Sequence, residues 1–380
     1  MKLRSRLIGI LLAGTMVMGM GVTVAASPSE GTEKDPAGVE IVKDLELAYG
    51  VTTPNETFTF DFAKVTSDAP DIQDAKIAYT DKDTDEDAQP GELATIRKST
   101  ANILEGVQFP HAGVFTYTVT ENGTDAEGYG MNYSEAKYTM NVYVKNGTGG
   151  KLFVSAVEIL KDTNDDGTSA DGSKTDDPTL GQGEGAGMLF TNEYTQKGGS
   201  GEGGDADALS ISKTVSGEYG DQTKDFTFSV TLYKSPTVHD DKEVTYQGRI
   251  GSEAPIDFTT NSPVTVQLHH GESLLFDDLP AGTTYTVTEQ GTEGYRPYAV
   301  VTVDGTAESE INAAEGQNLS TGTKVVGTDT NSAAFRNVYD EGGSITPTGI
   351  IIDNLPFILL VVVAASGLSF YVVSRRRFSR

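Results

Sequence analysis

The sequence has no cysteine and no tryptophan, and only 4 histidines in 380 residues. Without thiols there can be no disulfide, no zinc–thiolate site and no thioester. His111, His239, His269 and His270 do not fall at a ligand spacing. No phosphate-cradling loop or nucleophile elbow is written anywhere, so no cofactor and no metal is expected. Positive charge is also scarce: 28 Lys and Arg stand against 55 Asp and Glu, a net −27. That balance repels phosphate backbones and excludes nucleic acid as a partner. One segment, Asp162-x-Asn164-x-Asp166-Gly167, begins like a calcium loop. Ser173 stands where the bidentate Glu is needed, and the segment reads as an acidic turn.

Sustained helical periodicity is missing as well; strand-like alternation takes its place. Leu209, Ile211, Lys213 and Val215 share one face of such a stretch, and Ser210, Ser212 and Thr214 the other. Val39, Ile41, Lys43, Leu45 and Leu47 repeat the arrangement near the start of the chain. Each stretch carries a lysine in its apolar register, and a lysine is almost never fully buried without a partner.

The rest of the chain repeats in the same order. Phe58-Thr-Phe60 matches Phe226-Thr-Phe228, and Thr118-Val-Thr-Glu121 matches Thr286-Val-Thr-Glu289. Phe190-Thr-Asn192-Glu-Tyr194 matches Phe335-Arg-Asn337-Val-Tyr339. Gly198 to Gly204 separates the two copies and reads as a flexible linker. The expectation is all-β: two tandem immunoglobulin-like β-sandwiches, 38–196 and 208–341, joined by a Gly-rich linker at 197–207.

Alternation puts Glu121 on the face of Tyr117 and Val119, and Glu289 on the face of Tyr285 and Val287. Asn192 and Asn337 fall on the apolar faces of their segments too. Each half thus sends a Lys, a Glu and an Asn inward, where unpaired groups cost several kcal/mol. A buried ion pair with an amide hydrogen bond is one solution. The other is chemical: burial disfavours charge, leaving a neutral nucleophilic amine and a neutral acid beside a carboxamide. The product would be a Lys–Asn amide with loss of ammonia.

Both ends read as targeting segments. Residues 1–26 have the basic start, apolar run and small-residue site of a secretory signal peptide, and 27–37 form a short polar leader. At the other end, an apolar segment at 350–374 is long enough to span a bilayer, and a basic tail at 375–380 orients it. Before it lies Thr346-Pro-Thr348-Gly349, within 342–349. This order resembles a sortase sorting signal, which implies cleavage between Thr348 and Gly349.

Taken together, these residues resemble a Gram-positive, sortase-assembled backbone pilin of the streptococcal type. Its sandwiches are related to collagen-adhesin B-type domains. The resemblance implies isopeptide bonds Lys43–Asn192 and Lys213–Asn337, assisted by Glu121 and Glu289. It also implies a cell-surface pilus or cell-wall location, with the membrane only a transient anchor. The implied partners are sortase, neighbouring copies of the chain, accessory pilins and peptidoglycan. An acceptor lysine for the next subunit is implied near the end of the first domain; Lys174 in Gly172-Ser-Lys174 fits, with Lys161 and Lys197 as alternatives. A wall-anchored monomeric adhesin or accessory pilin with the same domains is the competing reading. An ordinary enzyme is not expected, because each triad would act once, on its own domain.

Overall fold

The computed structural model describes residues 29–123, 125, 129–172, 187–199, 207–238 and 243–339. The signal peptide, Lys174, the sorting motif with Thr348 and Gly349, and the apolar segment at 350–374 lie outside the described residues. Among the described residues no helix is long and apolar enough to cross a membrane.

About half of the described residues lie in strands, and the other regular element is a three-residue helical turn at Thr148–Gly150. Two sheets form the first half. One runs Ser29–Glu30, Leu152–Thr163, Lys137–Asn146, Gly113–Asn122, Glu56–Lys64, Ala75–Tyr79; the other runs Leu93–Ser99, Ile41–Ala48, Met188–Thr195, Gly130–Asn132. Their facing sides enclose one apolar core around Phe58, Phe60, Phe115, Tyr117, Tyr138 and Phe190. The second half repeats the plan. Leu209–Ser216 and Ser332–Tyr339 lie at the centre of one sheet, and Phe226–Tyr233 and Thr284–Glu289 at the centre of the other. A separate core forms around Phe226, Phe228, Leu274, Tyr285 and Phe335. Aromatic and β-branched residues at every second position supply each inner face, as a half-buried strand requires.

In each half the first core strand and the last are neighbours and run parallel. Ile41–Ala48 pairs with Met188–Thr195, and Leu209–Ser216 with Ser332–Tyr339.

Three local features differ from the sequence reading. Ile41–Ala48 is covered on both faces, with Asp44 only 5% exposed. The Arg97 guanidinium forks onto Asp44 through two 2.7 Å bonds, which satisfies the covered charge. Within the polar leader, Ser29–Glu30 pairs with Val157 and Ala156 as an edge strand. Finally, the glycine stretch does not start as a free linker. Gly198 N–H donates to Leu279 O at 2.8 Å and Gly199 N–H to Gly327 O at 3.0 Å, which fastens residues 198 and 199 to the second half.

Candidate functional site: two buried lysine, carboxyl and amide clusters

Register brings the three groups of each cluster together. Lys43 stands opposite Phe190 across the parallel pair, and Asn192 is two residues further on, hence on the same face. Lys213 stands opposite Phe335, with Asn337 again two residues on. The carboxyls come from the facing sheets: Glu121 is paired with Phe60, and Glu289 with Phe228. Lys43, Asn192 and Lys213 are fully buried and Asn337 is 1% exposed; the carboxyl side chains are equally enclosed.

In the first cluster the Lys43 amine donates to the carbonyl oxygens of Asp44, at 3.0 Å, and Phe190, at 3.2 Å. It lies 3.7 Å from Glu121 Oε2. The Asn192 carboxamide donates through Nδ2 to Glu121 Oε1 at 2.9 Å. In the second, one carboxyl oxygen serves both partners. Glu289 Oε1 accepts from Lys213 Nζ at 2.6 Å and from Asn337 Nδ2 at 2.7 Å. In both halves the carboxyl bridges amine and amide.

The surroundings are aromatic. Lys43 Nζ is 4.9 Å from the centre of the Phe58 ring, and Lys213 Nζ is 4.0 Å from that of Phe226. Phe60 packs on Phe190 and Phe228 on Phe335 at about 5 Å. This explains the repeated Phe-Thr-Phe segments, whose rings wall the amine off from water. The electrostatic result follows from that wall. Burial pushes the Lys43 amine down to about 8, against the opposing pull of Glu121, and Lys213 likewise down to about 8, against Glu289. Burial pushes Glu121 up to about 7 in spite of Lys43, and raises Glu289 as well. A neutral amine and a neutral acid are therefore accessible near neutral pH in contact with a carboxamide.

Residues 39–195 match the family described as Spy0128-like isopeptide containing domain, and 207–339 match one described as a domain of unknown function, DUF7601. Along its length the chain is 26% identical over 393 residues to a pilin of Streptococcus pyogenes serotype M1, covering 98% of each chain. The chain is thus similar to a streptococcal pilin along nearly its whole length. A 147-residue stretch of the chain is also 33% identical to the Streptococcus pyogenes pilus tip adhesin Cpa, over 38% of this chain and 18% of that protein. Among solved structures, the major pilin from Streptococcus pyogenes aligns with 24% identity over 80% of this chain and 99% of its own, at a TM-score of 0.34. The pilus-presented adhesin aligns at 14% identity over 80% of this chain and all of its own, with a TM-score of 0.26.

Two residues beside the first cluster escape the alternation test. Ser134 donates its backbone N–H to Asn192 Oδ1 at 2.7 Å, and its hydroxyl donates to Asp165 Oδ1 at 2.6 Å. Asp165 lies inside the segment read as an acidic turn. Of the alternative acceptor lysines, Lys161 has its amine held by Asp165 Oδ2 at 2.9 Å, and Lys197 pairs through its backbone with Pro280.

Proposed function

We propose that this pilin relative is the shaft subunit of a surface pilus, stiffened by one self-made Lys–Asn amide in each domain. The protein is structural, and each cluster reacts once. The observation that carries the proposal is the duplicated bridge: a buried carboxyl in contact with a lysine amine and an asparagine amide, at the same register offset in both halves.

The reaction needs no outside reagent. Proton transfer from the ammonium to the carboxylate gives a neutral amine and a neutral acid, a step favoured by burial. The amine nitrogen of Lys43 attacks Cγ of Asn192 and forms the new C–N bond. The acid delivers a proton to Nδ2, the Cγ–Nδ2 bond breaks, and ammonia leaves. The carboxylate takes back the surplus proton from the new amide nitrogen and is ready, neutral, beside a neutral product. Fixed contact replaces the concentration that such a weak electrophile would need in water. Lys213, Glu289 and Asn337 run the same sequence.

Assembly then rests on the ends of the chain. Sortase would cut between Thr348 and Gly349 and pass the threonyl group to a lysine amine of the next copy, with Lys174 as the acceptor. Peptidoglycan would receive the last subunit, accessory pilins would join by the same chemistry, and the 350–374 segment would hold the chain in the membrane only until then.

Whole-protein mass of residues 27–348 is the test of the crosslinks. The expected value is below the calculated mass by two ammonia molecules; the calculated mass itself would refute the reaction. For assembly, boiled wall extracts should show a ladder of covalent multimers that collapses in Lys174→Ala. A single wall-linked band in the unmodified strain would favour the monomeric adhesin.

A further inference from the structure

The two clusters hold their amides differently. Asn192 Oδ1 accepts a backbone N–H from Ser134, a residue 6% exposed. Asn337 Oδ1 is buried and has no hydrogen-bond partner among the described residues. The backbone opposite Asn337 is Pro297, which has no N–H to offer. The first amide is thus pinned at both ends, Nδ2 on Glu121 and Oδ1 on Ser134, and its orientation is fixed by the donors around it. The second is pinned at Nδ2 only.

Ser134 does not sit in a strand, so something else must hold its N–H in place. Asp165 does this. One of its carboxylate oxygens accepts from the Ser134 hydroxyl at 2.6 Å and from the Thr191 backbone N–H at 2.8 Å, beside Asn192 itself. The other accepts from Lys161 at 2.9 Å. Asp165 O also accepts the backbone N–H of Glu135 at 3.0 Å, and the Ser134 hydroxyl oxygen accepts that of Ala136 at 3.1 Å. A single carboxylate therefore ties the Ser134 segment to the strand that carries the reacting amide.

Attack of the amine on Cγ shifts an electron pair onto Oδ1. A donor already aimed at that oxygen stabilises the developing charge without reorganising, which is the action of an oxyanion hole. We propose that the Ser134 backbone N–H is the oxyanion donor of the first domain, held by Asp165 as a positioning residue, so that the Lys43–Asn192 bond forms before Lys213–Asn337. This rests on the isopeptide reading above. The bonds made and broken are those already written; Ser134 N–H gains and loses no proton. In the second domain the carboxyl of Glu289 works without this help.

The test follows both bonds in one molecule. Full-length chain is made by cell-free synthesis, quenched in acid at intervals and digested, and the crosslinked peptide of each domain is quantified by mass. In the unmodified chain the first-domain peptide should appear first. Asp165→Ala should slow it by about ten- to a hundredfold while the second-domain rate stays unchanged. Asp165→Asn keeps an acceptor for Ser134 and Thr191, and should restore the rate to within about threefold. Ser134→Ala removes only the hydroxyl that Asp165 grips and should slow the first domain in the same direction, which keeps the question open to test should Asp165→Ala not fold. Equal rates for the two domains in the unmodified chain, an undisturbed first-domain rate in both Asp165→Ala and Ser134→Ala, or Asp165→Asn as slow as Asp165→Ala would each overturn the proposal. Failure of the isopeptide reading looks different: neither crosslinked peptide would form in the unmodified chain.

Discussion

Asn192 sits two residues beyond the register partner of Lys43 on the neighbouring parallel strand, and Asn337 bears the same relation to Lys213. Because side chains two apart share a face, this offset sends amine and amide into one core from the same sheet. Because the strands are the first and last core strands of their domain, a bond between them would carry tension past the strands in between. A chain pulled at its two ends would load the amide rather than peel the sheet.

The amine must be neutral and the acid protonated at the same moment, which gives the reaction a bell-shaped pH dependence. Raising pH through about 8 frees the Lys43 amine and speeds the reaction, while raising it through about 7 strips Glu121 of its proton and slows it. The first-domain rate should rise up to about pH 7, pass a maximum between 7 and 8, and fall above 8. A time course of ammonia loss in buffers from pH 5 to 10 measures this. A rate that climbed steadily to high pH would show that only the amine titrates and that Glu121 moves no proton.

Glu289→Gln separates activation of the nucleophile from the proton shuttle. The amide side chain removes the charge that favours the Lys213 ammonium, so the amine becomes easier to deprotonate. It cannot deliver a proton to the leaving nitrogen. Bond formation in the second domain should slow by about a hundredfold or more, leaving the mass one ammonia higher, with the first domain closed as before. Normal closure of the second domain would mean that burial of the lysine alone suffices.

Losing a crosslink should cost stability in its own domain. Each bond closes a loop of more than a hundred residues, and by analogy with disulfides this contributes about 5 kcal/mol. Asn192→Ala should therefore lower the first domain's melting temperature by about 10–20 °C, and open it to protease. The second domain's transition should stay where it is. Differential scanning calorimetry with limited proteolysis checks both, and an unshifted first transition would remove the bond from the account of stability.

The groups that would react were legible in the sequence because each lies in a strand with clean alternation. Lys43, Glu121 and Asn192 break an apolar face, and the break repeats in Lys213, Glu289 and Asn337. The Phe-Thr-Phe rings were visible as a repeat, though not as the wall around the amine. Ser134 and Asp165 were not legible. Ser134 acts through its backbone, which no side-chain pattern reports. Asp165 sits in a run of acids whose spacing imitates a calcium loop, and its role depends on Ser134 and Thr191, both distant in sequence. The cover over Asp44 was hidden for a similar reason: it needs Arg97 from the adjoining strand, a pairing that alternation alone does not give.

Contact between the two halves supplies the last prediction. Gly282 has φ +86°, a left-handed conformation that other residues adopt only with strain, and a Cβ there would come within 2.5 Å of the Ala48 Cβ. Around it, Ala281 N–H donates to Gln196 O at 2.8 Å, and the Tyr129 hydroxyl donates to Asp278 Oδ1 at 2.6 Å. Glycine thus lets the second half close onto the end of the Ile41–Ala48 strand. Gly282→Val adds backbone strain of about 1–2 kcal/mol and forces the two surfaces apart. Gly282 belongs to neither core, although Ala48 and Ala281 lie at the edge of the first. The expected result is a longer particle by small-angle X-ray scattering and faster amide exchange at 196–199, with both crosslinks still formed by mass. Unchanged dimensions and exchange would show that the halves keep their arrangement without this close approach.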